Sequence, residues 1–392
     1  MDMKLVAREL GLEAYPECFD AIYQQIAEDN RPACDMELIA RAQERYNAFG
    51  KYYEKVVAGA EEINKDAVYS AWVKVAKTYL EKGMGPVADV PVVTMDGTPK
   101  RDILMLACHI PAIPSAAERY RRGGFSEDQI ASYLRAYGQC MRSTEIRDGI
   151  VGLNTTYFRW LSHFARAEIF HVKGIQFEFA TVKKNVVFLK NKHTEEIVPV
   201  ITGGMVHASG KMMLGAAGYT DPEGAYEAVF HEDEEKFSGY AVYDVVVSKE
   251  PSEFPKAEWE CILRKGDKCL SIHLPRGCDI SRENIDDAVA AGYEIIRKGY
   301  PEYTDVPIHC ASWLLDPGLE AFLKPDSNII QFGKRFVRYP SKSAGRAADG
   351  FVFPGKYESD ADLPENTSLQ RALKQNYLDG GYTYGISGLF AL

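Results

Sequence analysis

The chain has 392 residues, 46% of them apolar and 26% charged, with a formal net charge of −10 at pH 7. That length exceeds one ordinary compact core, so two domains are expected, and the composition excludes a disordered or collagen-like chain. The acidic balance argues against a nucleic-acid or anionic-membrane partner, because such partners need a clustered basic surface and the pairs Arg121-Arg122 and Lys183-Lys184 stand alone.

The opening MDMKLVARELGLEAYPECFD lacks the apolar h-region of a secretory signal. No apolar run approaches the roughly eighteen residues that a membrane span needs. A cytoplasmic location is the expectation. From the start to about Phe170 the pattern is helical, as in MELIARAQERYNAFGKYYEKVVAGAEEI and DAVYSAWVKVAKTYLEKG, with glycines after Lys82 and Arg122 as stops. Ser126-Glu127-Asp128-Gln129 has the spacing of a capping box. A further helix is predicted from Asn154, with Tyr157, Trp160, Leu161 and Phe164 on one face.

After about Phe170 the period changes to two, in GIQFEFATV, NVVFLK, YAVYDVVVS and EWECILRKGDKCLSIHLP. The chain is therefore expected to have an α+β organisation: a helical domain over 1–170 and a second domain over 171–392. In its last third a strand over Cys269–Pro275 precedes a helix over about Ser281–Lys298, with Ile285, Ala288, Val289, Gly292 and Ile296 along one side. A strand over Ile308–Leu315 follows, then a short helix starting at Asp316-Pro317, then SNIIQFGKRFVRY as a strand. That order predicts that the first two strands are parallel.

Several familiar signatures fail on spacing. GMVHASGK has five residues between its glycines where a nucleotide phosphate loop has four, and Met212 stands where that loop carries Ser or Thr. His231-Glu232-Asp233-Glu234-Glu235 lacks the second histidine of a zinc-protease helix, and Gly385-Ile386-Ser387-Gly388 is too short for a nucleophile elbow. Both read as solvated loop or terminal turn. The eight cysteines show no C-x-x-C spacing, which fits reduced thiols rather than a disulfide framework or a metal site.

Strand alternation puts Ser271 and His273 on one face of their strand, opposite Leu270, Ile272 and Leu274. His273 is either a general base or a hydrogen-bonded structural histidine. Glu178, on the face opposite Phe177 and Phe179, is either a base beneath a cleft or an exposed strand carboxylate. His309 and Cys310 fall on opposite faces, so they form no dyad; Cys310 reads as a buried thiol, with a thiol hydrolase as its functional alternative. The turn after the strand, LPRGCDISREN, leads into a helix N-terminus beyond a strand's carboxyl end. That placement suits phosphates: Gly277 permits close approach, Arg276 and Arg282 supply charge, and Asp279 and Glu283 are helix-start acids.

GIQFEF (174–179), MVHASGKMMLGAAG (205–218), EWECILRKGDKCLSIHLPRGCDIS (258–281), CASWLLDPGLEAFLKPDSNIIQF (310–332) and the tail TSLQRALKQNYLDGGYTYGISGLFAL resemble a family of bacterial acyltransferases. Its members join a helical N-acyltransferase N-terminal domain to a GNAT-like C-terminal domain. The resemblance implies a GNAT-like mixed sheet with flanking helices and transfer of an acyl group from acetyl-CoA or another acyl-CoA to a small-molecule or peptide amine. It places the pantetheine between two splayed parallel strands and the pyrophosphate on the loop from Leu274 to Arg282. Arg276, Gly277, Cys278, Asp279, Ser281 and Arg282 are then the cofactor-binding residues, with His273 or Glu178 as proton acceptor. The turn does not carry the Gln/Arg-x-x-Gly-x-Gly/Ala spacing usual in such domains. A GNAT-like binding protein without catalysis is the alternative.

Overall fold

The computed structural model describes residues 2–26, 28–213 and 219–391. Residues 214–218 of the family-like stretch 205–218, and the last residue of the tail, lie outside the described residues. The chain divides into two compact units, Met1–Phe170 and His171–Leu392.

The first unit is helical: α1 (Met3–Glu9), α2 (Cys18–Ile26), α3 (Met36–Tyr46), α4 (Tyr53–Lys65), α5 (Ala67–Glu81), α6 (Pro99–Ala107), α7 (Ile113–Arg122), α8 (Glu127–Leu134), α9 (Ala136–Asp148) and α10 (Thr155–Ala165). Short polar side chains start several of these helices by accepting first-turn amides: Asp2 for α1, Asp35 for α3, Asp66 for α5 and Asn154 for α10. The capping box at Ser126 and Gln129 is present in both directions. Phe19 packs on Trp72 and Tyr79 with ring centroids 5.6 and 5.3 Å apart. On α10 the buried face carries Phe158, Leu161, Ser162, Phe164 and Ala165. The stripe is rotated from the expected one, with Tyr157 and Trp160 only half-buried.

Strand β1 (Ile169–Val172) runs across the division, and the second unit continues with β2 (Ile175–Thr181), β3 (Val186–Asn191), β4 (Ile197–Ile201), β5 (Gly204–Val206), β6 (Tyr226–Ala228), β7 (Phe230–Glu232), β8 (Lys236–Tyr243), β9 (Val246–Val247), β10 (Ser252–Pro255), β11 (Trp259–Arg264), β12 (Lys268–His273), β13 (Ile308–Ser312), β14 (Phe336–Pro340) and β15 (Ile386–Phe390). Its helices are α11 (Arg282–Gly299), α12 (Asn328–Gly333), α13 (Asp349–Val352) and α14 (Ser368–Leu378).

A six-stranded sheet runs β1-β2-β12-β13-β15-β14. In it β12 and β13 are parallel, whereas β2–β12, β13–β15 and β14–β15 are antiparallel. A second, antiparallel sheet in the order β10-β8-β4-β3-β11 is inserted between β2 and β12. Backbone bonds from Val182 to Asp267 (2.9 Å) and from Gly266 to Val182 (2.8 Å) close the neck of this insertion. One face of the main sheet is covered by α11 through Ile285, Ala288, Val289, Gly292 and Ile296, the stripe the sequence predicts. Part of the other face packs on the inserted sheet, where Cys269, Leu389 and Tyr339 join Phe188, Ile201 and Val242 in one core.

Four expectations are corrected. SNIIQFG forms α12 rather than a strand, because Ser327 caps it by accepting the Ile330 amide at 3.4 Å, and only Phe336–Pro340 is extended. The strand from Ile308 ends at Ser312, whose hydroxyl accepts the Leu314 amide and turns Trp313–Leu315 into a 3-10 helix. His231 and Glu232 belong to β7, with Glu232 paired to Lys256 and Arg264. The GISG stretch is no terminal turn but the start of β15, a fully buried strand between β13 and β14. Its glycine hides it from β-propensity yet is needed there, since a Cβ on Gly388 would lie 2.9 Å from that of Phe336. Among the described residues no helix is long and apolar enough to cross a membrane.

Candidate functional site

The parallel pairing of β12 with β13 is short. Only Leu270↔Ile308 and Ser271↔His309 are in register. Beyond them β12 stays with β2 as far as His273↔Gln176, while β13 stays with β15 as far as Ser312↔Ile386. The two strands thus part company toward their carboxyl ends. Ala311 lies on this central strand and yet is exposed. A strand with neighbours on both sides normally buries such a position, so the sheet face is uncovered at this point. Backbone groups that have left a ladder need new partners, which water or an extended amide-bearing molecule can supply.

His273 and Glu178 meet on the rim. Antiparallel register sets Ser271 opposite Glu178 and His273 opposite Gln176, which brings all four side chains to the same face. His273 Nε2 lies 2.8 Å from Glu178 Oε2, with the two side chains 28% and 12% exposed. Glu178 is therefore largely enclosed rather than an exposed strand carboxylate. Gln176 in turn donates from its amide nitrogen toward His171 Nε2 at 3.2 Å, and burial pulls the His171 pKa down to about 4. An imidazole that donates its Nε2–H to a carboxylate keeps a lone pair on Nδ1.

The turn between β12 and α11 is closed by a bond from the Cys278 amide to the Pro275 carbonyl, 3.1 Å, with Gly277 at φ 80°. That left-handed conformation favours glycine, and Arg276, Gly277 and Asp279 are exposed. Asp279 and Ser281 shape the helix start: Asp279 Oδ1 accepts the Ser281 amide at 2.8 Å and Ser281 Oγ accepts the Asn284 amide at 3.4 Å. The amides of Arg282 and Glu283, first in an eighteen-residue helix, have no intrahelical acceptor and carry its positive end. Arg282 is 82% exposed, 3.8 Å from Asp286. Arg276 donates to the Gly350 carbonyl at 3.2 Å. Cys278 is half-buried, and burial raises its thiol pKa. Turn amides, Arg276 and Arg282 are placed where they can meet an anion, whereas Asp279 and Ser281 hold the backbone of the helix start.

Other polar groups near the opening are not apparent in the sequence. His309 shares a 3.0 Å hydrogen bond with the Tyr339 hydroxyl, and Ser387 shares one of 2.7 Å with Ser341. A small cleft beside them is lined by Lys211, Tyr219, Asp316, Ser341 and Tyr384. Asp316 accepts the Gly318 amide, as its capping position predicts, but also that of Tyr384, 68 residues on. Burial raises the Asp316 pKa and lowers that of Lys211. The signal for Ala311 was available: a small residue on the His273 side of a central strand. Cys310 is 1% exposed on the opposite face, and burial pushes its thiol up to about 12. A protonated, enclosed thiol removes the basis of the hydrolase alternative. Among the described residues no group of three or more His, Cys, Asp and Glu side chains is placed to hold a metal ion.

Comparison with curated protein sequences finds no match. Solved structures are similar over the whole chain. One is an acyltransferase in complex with CoA and 10C-teicoplanin, at 16% identity and a TM-score of 0.67, covering 100% of both chains. Another is an acyltransferase in complex with decanoyl-CoA, at 17% identity and a TM-score of 0.66, again covering 100% of both. A third is an acyltransferase mutant in complex with octanoyl-CoA, at 16% identity, a TM-score of 0.66 and the same coverage. At these identities the likeness is one of fold. The family model of the GNAT-like C-terminal domain matches residues 169–390, from the first strand of the main sheet to the end of the last, and the chain belongs to that family.

Proposed function

We propose that the chain is an acyltransferase that moves an acyl group from coenzyme A to an amine. The observation that carries this reading is the opening between β12 and β13, with the His273–Glu178 pair on its rim and a helix N-terminus beyond it. Pantetheine amides fit a parted parallel ladder, and a pyrophosphate fits the amides of Arg282 and Glu283 with the charges of Arg276 and Arg282. The neighbours of like fold support the choice of thioester, being acyltransferases in complex with octanoyl-CoA, decanoyl-CoA or CoA.

In the proposed reaction the acceptor nitrogen attacks the thioester carbonyl carbon, the carbon–sulfur bond breaks, and an amide forms. The proton lost by nitrogen goes to His273 Nδ1, while Glu178 holds the Nε2–H and stabilises the imidazolium. The imidazolium gives that proton up to the departing thiolate, so the products are amide and free CoA thiol and His273 is restored to neutral. His273 is the proton acceptor, and Glu178 positions it. Teicoplanin in one neighbour's complex is consistent with an acceptor of small-molecule or peptide type.

The test is a panel of acyl-CoAs, from acetyl to decanoyl, followed by thermal stabilisation and by free-thiol release with a mixture of amines. Stabilisation together with amine-dependent thiol release is expected. Stabilisation without thiol release would identify a catalytically silent GNAT-like binding protein, and no stabilisation by any member would sink the reading.

A further inference from the structure

We propose that Phe351 is a stacking platform for the purine ring of the coenzyme; this rests on the CoA reading above. Arg276, in the turn proposed to hold the pyrophosphate, donates to the Gly350 carbonyl across 74 residues of sequence at 3.2 Å. This bond brings the first residues of α13 beside the turn. Phe351 is the next residue, and 54% of it is exposed.

Isolated exposed hydrophobic residues are ordinary on a protein surface, so exposure alone means little. Here the backbone that presents the ring is firmly anchored. Ala348, Val352 and Phe353, on either side, are buried in a core with Trp313, Leu373 and Tyr377. The segment is also tied by Arg346, which binds Asp349 Oδ2 at 2.9 Å and Asp360 Oδ2 at 3.2 Å. The Arg346 guanidinium lies over the Tyr377 ring, 3.7 Å from its centroid. Phe351 is thus turned outward from a fixed support. Gly350 adds room, since a Cβ built there meets nothing within 4 Å. An outward aromatic ring on an anchored backbone, beside the turn proposed to hold the pyrophosphate, suits the planar base of a nucleotide, because an aromatic face stacks on any purine.

The experiment measures the affinity of octanoyl-CoA and of octanoyl-4′-phosphopantetheine, which lacks the nucleotide half, by titration calorimetry. Wild-type protein is expected to bind the CoA thioester more tightly. Phe351→Ala is expected to weaken octanoyl-CoA by about tenfold and leave octanoyl-4′-phosphopantetheine unchanged, with Phe351→Trp restoring the difference. Because the side chain is exposed, its loss should not affect folding, which the unchanged phosphopantetheine affinity verifies. If Phe351→Ala binds octanoyl-CoA as the wild type does, or if the wild type binds the two thioesters equally, the stacking role is wrong while the CoA reading stands. If the wild type binds neither thioester, the CoA reading fails and the platform with it.

Discussion

Glu178 reaches His273 from a neighbouring strand at 2.8 Å, and this contact divides the labour between them. His273→Gln should lower kcat by about 10²- to 10⁴-fold with little change in the KM for acyl-CoA, the range typical of a lost general base. Glu178→Gln should cost less and should alter the pH profile of kcat/KM, because the imidazolium loses its counter-charge. Both are read from thiol release at varied pH. Cys310 should resist iodoacetamide in the native protein and become labelled only on unfolding, with mass spectrometry as the readout. At this scale the sequence told which side of its strand each residue takes, since alternation needs only local pattern. It did not tell that Glu178 and His273 touch. That depends on the register of two strands 95 residues apart, which no local pattern encodes.

Two elements define the opening, the parted pair β12–β13 and the turn into α11. Ala311 tests the first. Ala311→Phe should fill the gap and abolish stabilisation by acyl-CoA, yet change the unfolding free energy by no more than about 0.5 kcal/mol, because the position is already exposed. A large drop in the urea midpoint would mean instead that Ala311 belongs to the core. The serine that caps α11 and the stripe on its buried side were legible, since capping and a 3.6 period are written in adjacent residues. α12 was not. Its Ile-Ile-Gln-Phe has strand-like composition, and the cap at Ser327 decides the matter with one hydrogen bond. β15 was missed for the complementary reason: its glycine and serine suit close packing between two strands and look like a turn when read alone.

For the molecule as a whole, acid sensitivity follows from its buried histidines. His109 lies in the first unit and His171 and His309 in the second, and burial holds each at about 4 against an ordinary value of 6.5. The unfolded chain therefore takes up protons first as pH falls. Stability should be full above about pH 6.5 and decline toward pH 4, by up to about 3 kcal/mol per histidine. Glu168, held near 2 by His163 and Arg166 despite its burial, adds a later loss below its ordinary 4.5. Urea unfolding at pH 7.5 and 5 checks the sign: the midpoint should drop at the lower pH with little change in slope, and His309→Gln should reduce the drop. The α+β class was readable from the change of period alone. The strand order was not, because a whole sheet is inserted between β2 and β12.

That insertion also orders events in time. The β3–β4 hairpin joins neighbours in sequence and can form within the first local collapse, whereas β2 can meet β12 only after the intervening chain is drawn together at its Val182–Asp267 neck. A nascent chain that has formed only the β3–β4 hairpin still has Glu178 and His273 far apart, because the β3–β11 pair that draws the neck together is not yet made. Binding competence arrives with the closure of that long loop, so ligand-induced stabilisation should appear late in refolding, after most of the β-structure is in place.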